Sequence, residues 1–478
     1  MTATLTPTRS GPWQMLRSTS ICVVAVIAFW LGVLLFFPSV PVALRWPVRV
    51  LWLLALGWLA FVAFRTVKAT RFTLKKTLFI LIVVLLQYIC LALACHVFIV
   101  VMGKRDDRLT RRGLTSLTPE CREGIQAMLS AKGLNAFSRE LGWEIRPGYV
   151  SRNYTINSQG LRALKEYSES PADPEQRYLC IGDSFTFGTA VGDTETYPAH
   201  AEQILPGTEW LNFGVPSTCL TQSYLRYLRN ARKFGGKHVI IGFMTNDAVR
   251  TVNCFRPFVN VESNAPLTKP FVRMRDGRLS LEPNPYRSPD DYKRLLADDR
   301  TELDKLRRLD YLSWSREKPP TNPIVRTLSY IVDARQLDRN FDMLLDSNLP
   351  FIRAIREALP QDPYGRAIYR PQSEGFPAIT GLFDLYHQQV VADGRMPLIV
   401  ILPGPLDVED YSKGVPRQYA SLLAHFRAKR YAVLDFLDSL AANHRDNLET
   451  DHLFVQSHYK GPINKELAAE IIKALPQP

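Results

Sequence analysis

The chain has 478 residues, 46% of them apolar and 11% aromatic, with a formal net charge of +13. That length predicts two or three units rather than one, and the apolar content suffices for a large core. The positive charge raises nucleic acid or anionic lipid as a partner, but basic residues crowd beside apolar stretches, and no RNP, zinc-finger or helix-turn-helix pattern is present, so nucleic acid is excluded.

The apolar residues concentrate in the first hundred positions. Three stretches, at 20–37, 47–64 and 77–102, read as membrane-spanning helices, since about 20 apolar residues cross a hydrocarbon core of about 30 Å. Basic flanks such as Arg65, Lys68 and Arg71, or Lys104, Arg105 and Arg108, fit that reading. Counting Lys and Arg on the two sides gives a tie, so charge does not orient the spans. Residues 1–103 are therefore expected to be a transmembrane region in contact with the lipid bilayer, and 104–176 a juxtamembrane linker containing the short element YTINSQGLR (154–162).

From residue 177 the pattern changes to apolar strand, turn and helix. Strands are predicted at Tyr178–Ile181, Glu209–Phe213, His238–Phe243, Leu398–Leu402 and Tyr431–Phe436, with helices between them and an amphipathic helix at Lys465–Leu475. Unbroken apolar strands separated by helices indicate a parallel sheet covered on both faces, whose chemistry collects at the carboxyl ends of the strands. The sheet region divides into 177–254 and 381–478. Between them, 255–380 carries a hairpin turning at Asp276-Gly277 and charged helices over Asp290–Leu309, expected to form either a cap that selects substrate or a structural elaboration.

Ser184, Gly214 and Asn246 each follow a predicted strand. A serine hydroxyl needs a base to act as a nucleophile, and the oxyanion formed by its attack needs donors placed beforehand. His458, in a loop before the last helix, offers the base. His452, with Glu449 three residues before it, is a rival, and His238 at a strand start reads as structural. Asp183 reads as a turn-fixing residue and Asp247 as a helix-capping or turn residue. Seven cysteines lack CxxC spacing, and there is no HExxH, P-loop or carboxylate cluster, so no metal and no cofactor are expected.

Four segments, IGDSFTFG, LNFG, GFMTND and SHYKGPINKELAAEI, resemble the four blocks of the SGNH (GDSL-type) hydrolases in the family's order. The resemblance implies a three-layer α/β/α, flavodoxin-like fold following the three transmembrane helices. It implies Ser184 as nucleophile and His458 as base, with the Ser184 and Gly214 N–H groups and the Asn246 side chain forming the oxyanion hole. The family's acidic residue two or three positions before the histidine is missing, since Val455 and Gln456 stand there. Asp451, Glu449 or a backbone carbonyl is left to orient the ring. The implied function is an esterase on an acylated surface glycan or lipid, membrane-anchored with its catalytic domain outside the cytoplasm. An O-acetyltransferase and a non-catalytic glycan-binding module are the alternatives. The oligomeric state is not legible.

Overall fold

The computed structural model describes residues 85, 88–97, 114, 116–259, 263, 265–310, 366–371, 373–445 and 447–475. The chain divides into two compact units, and the fold below belongs to the one formed by Asp106–Pro320 and Asp362–Pro478.

Five parallel strands form its centre: β1 (Arg177–Ile181), β2 (Glu209–Asn212), β3 (His238–Met244), β4 (Met396–Leu402) and β5 (Val433–Asp435). Their spatial order is β2-β1-β3-β4-β5. In register, Leu179 lies between Leu211 and Val239, and Ile240 pairs with Leu398. Every residue of β1 and β3 is buried, which explains why these strands read as continuous apolar runs instead of alternating ones. The helices Leu220–Arg229 and Gly375–Ala392 pack together in one layer, joined through Tyr224, Tyr227 and Tyr386. Tyr197–Ile204, Phe436–Asn443 and Gly461–Ala474 pack together in another. The strand order reverses between β1 and β3, and open sheets of this kind bind ligands outside the carboxyl ends at such a point.

A second core lies beside the sheet. Leu117, Ile125, Trp143 and Ile156 from before β1 pack with Phe255, Leu267, Tyr292 and Leu303 from after β3, and with Phe187 and Val215 next to the sheet's carboxyl edge. The segment that reads as a linker and the first part of the inserted segment thus bury their apolar side chains against one another. The hairpin of that insertion pairs Phe271–Arg275 with Arg278–Glu282, turning through Asp276 and Gly277, both at positive φ. The insertion's middle, 311–365, lies outside the described residues.

The expected three transmembrane helices require correction. Among the described residues no helix is long and apolar enough to cross a membrane. The expected spans 20–37 and 47–64 lie outside the described residues, and 77–102 is described as helix at Leu85 and over 88–97. The ten described residues of 88–97, at about 1.5 Å each, account for about 15 Å of a hydrocarbon core of about 30 Å.

Candidate active site

Ser184 opens a one-turn helix, Ser184–Phe187, directly after β1. The Asp183 side chain caps it, its Oδ1 accepting the Phe185 N–H at 2.9 Å. The turn presses onto the strand ends. A methyl group on Gly214 would collide with the Phe187 backbone nitrogen, and one on Gly182 or Gly242 with Thr186 Oγ1. Three adjacent strands thus offer glycine where the serine turn sits, so the absent side chains admit a close backbone approach.

Arg162, from the YTINSQGLR element, fixes the loop beyond this helix. Its buried guanidinium donates to the carbonyls of Phe187 (2.7 Å), Val191 (2.7 Å) and Asn153 (3.1 Å), and to Asp193 Oδ1 (3.0 Å). Its flat face lies 4.8 Å from the ring centroids of Tyr154 and of Phe187. Burial pulls its pKa down while Asp193 opposes that pull. Nothing in the sequence marks this arginine as different from the many others.

His458 lies 274 positions after Ser184 in the chain, yet its Nε2 is 2.8 Å from Ser184 Oγ. A short hairpin delivers it: Phe454–Val455 pairs with His458–Tyr459, and only Gln456 and Ser457 turn the chain, at φ of 48° and 63°. Two successive left-handed residues define the turn that matches strand twist, which ordinarily selects Asn-Gly. The same turn points the Gln456 carbonyl at the ring, 2.8 Å from His458 Nδ1. A carbonyl only accepts, so Nδ1 carries the proton, and Nε2 is left to accept from the serine hydroxyl. The tautomer follows from the partner.

Neither Asp451 nor Glu449 is a hydrogen-bond partner of His458 among the described residues; Asp451 instead gives its backbone carbonyl to Lys460 Nζ at 2.6 Å. The His452 ring packs edge-on against His444 at 5.3 Å, and His444 bonds Glu466. His238 sits at the opposite end of its strand, stacked on Tyr178 at 4.8 Å, with burial lowering its pKa.

Asn246 follows β3 and is the N-cap of the short helix Asp247–Thr251, but its side chain makes no capping bond. Gly214 follows β2, and its N–H donates to Asn212 Oδ1 at 3.0 Å, a bond internal to the loop. Asp247 is buried in an ion pair with Arg250 (2.9 Å), and burial pushes its carboxyl well above the usual range. The same Arg250 nitrogen is 3.8 Å from Asp183 Oδ2. Sequence reasoning missed Arg250, whose only available signal was its position four residues past Asn246; a backbone carbonyl was among the groups left open for the ring, and the structure shows it to be that of Gln456. Among the described residues no three His, Cys, Asp or Glu side chains are placed to share a metal ion.

No protein-family model matches the chain, and no curated protein matches it. A solved structure from Desulfitobacterium hafniense DCB-2, described as a lipolytic protein of the G-D-S-L family, is similar over 63% of this chain and 100% of its own. The identity is 13% and the TM-score 0.29, too loose to carry an argument. What the site can do follows from its own geometry.

Proposed function

We propose that this chain is a serine-dependent ester hydrolase working through an acyl–Ser184 intermediate. The observation that carries the reading is the 2.8 Å contact between the Ser184 hydroxyl and an imidazole nitrogen whose other nitrogen is already committed. As Oγ attacks the ester carbon, its proton passes to His458 Nε2. The oxyanion is held by the Ser184 N–H and the Asn246 amide, with the Gly214 N–H joining if it exchanges Asn212 for the substrate oxygen. The protonated ring then gives its proton to the leaving alkoxide. Water, with His458 again as base, releases the acid. An acceptor hydroxyl in place of water would make the same intermediate a transferase.

A neutral carbonyl orients the ring without supplying a full negative charge. Loss of the acidic partner costs a serine protease about 10⁴ in turnover, which sets the scale of the handicap. The four-block resemblance supports an acyl ester of a glycan or lipid as substrate.

The test is fluorophosphonate labelling followed by mass spectrometry of the modified peptide. Labelling at Ser184, absent in Ser184→Ala, is the expected result. A folded wild-type protein that stays unlabelled while a reference serine esterase reacts would reject the hydrolase reading.

A further inference from the structure

We infer that Asp183, and not a residue of the histidine's own loop, supplies the negative charge that balances the His458 ring once it takes the serine proton. The inference rests on the hydrolase reading above. Among the described residues, Ser184 Oγ has two hydrogen-bond partners, His458 Nε2 at 2.8 Å and Asp183 Oδ2 at 3.4 Å. The hydroxyl lies between a ring and a carboxylate. When the O–H bond breaks and the proton joins Nε2, the cation forms one hydroxyl away from that carboxylate. No proton moves to Asp183, which acts through charge alone. Among the described residues, the hydrogen-bond partner of Nδ1 on the far side of the ring is the Gln456 carbonyl, a dipole without net charge.

The carboxylate is built to stay in place. Asp183 is 1% exposed, its Oδ1 is held by the Phe185 N–H, and Arg250 approaches its Oδ2. The charged and titratable groups facing it are Arg250 and Asp247 on the short helix after β3, Arg256 beyond that helix, Tyr197, and His458 and Tyr459 of the hairpin. Burial raises the Asp183 carboxyl, while Arg250, the Phe185 N–H and His458 pull it back. Asp247 is raised as well, by its own burial and by the charge on Asp183.

A purely structural Asp183 would matter through its cap, and Asp183→Asn keeps an oxygen for that bond while removing the charge. The fluorophosphonate labelling rate, measured from about pH 5 to 9, separates the two roles. An opposite charge nearby favours the protonated ring, so its removal lets the free base persist to lower pH. D183N is expected to label at least about tenfold more slowly at neutral pH, with the acid limb of its rate profile moved down by about one unit. Asp451→Asn and Glu449→Gln should leave the limb where it is in wild type. An unmoved limb in D183N overturns the inference, and so does a downward shift in D451N or E449Q, which can be read even if D183N does not fold. Wild-type protein that never labels overturns the hydrolase reading itself and this inference with it, a result distinct from either.

Discussion

The turn that carries His458 gives a measurable handle on the site. Ser457 sits at φ 63°, a region that costs an L residue about 1–2 kcal/mol. Glycine escapes that cost but surrenders about 0.5–1 kcal/mol of extra freedom in the unfolded chain, so Ser457→Gly should gain about 0.5–1 kcal/mol. Valine, branched at Cβ, fits the left-handed region worst, and Ser457→Val should lose at least about 1 kcal/mol beyond serine. Unfolding entropy of about 2.1 cal/mol/K per residue, over the roughly 330 residues of this unit, makes 1 kcal/mol equal to about 1.5 °C. Calorimetry should therefore separate the two variants by about 3 °C, with wild type between them. Because the same turn aims the Gln456 carbonyl at Nδ1, S457V should also label more slowly at Ser184, whereas S457G keeps the wild-type rate. If both variants melt within about 0.5 °C of wild type and S457V labels normally, the turn is not left-handed in solution and does not set the ring.

Two further substitutions test the rest of the site. His458→Ala should lower ester hydrolysis by about 10²–10⁴-fold, the usual worth of a positioned base, while His452→Ala stays within about twofold; the reverse order in a steady-state assay would exchange their roles. Arg162→Met strands several buried carbonyls and Asp193, and should cost about 3–5 kcal/mol, read as a lowered denaturant midpoint and faster proteolysis in the 187–193 loop. An unchanged midpoint would mean that the loop holds itself.

The sheet was legible because its strands are buried on both faces. The apolar run predicted at His238–Phe243 is observed as His238–Met244, and that at Leu398–Leu402 as Met396–Leu402. Tyr431–Phe436 shrinks to Val433–Asp435, since only those residues pair with β4. The proximity of Ser184 and His458 is where the four-block resemblance pointed. The group behind the imidazole was not legible, because a main-chain acceptor depends on the path of the loop and Gln456-Ser457 lacks the Asn-Gly signature of its turn. The charged setting of Asp247 was not legible for a related reason: only the fold brings Arg250 and Asp183 around it. Residues 104–176 read as a linker because their composition is basic and mixed; Leu117, Ile125, Trp143 and Ile156 among them are buried. They form a core only when Phe255, Leu267 and Leu303 supply the other half.

That shared core ties together two stretches more than a hundred positions apart. A graft of 265–310 from a related enzyme, with 114–156 left behind, would join two half-interfaces that never evolved to fit. A property carried by the insertion could be transplanted only as a pair of segments. Because Phe187 of the nucleophile turn belongs to the same cluster, a poor match would be felt at the serine before anything bound there.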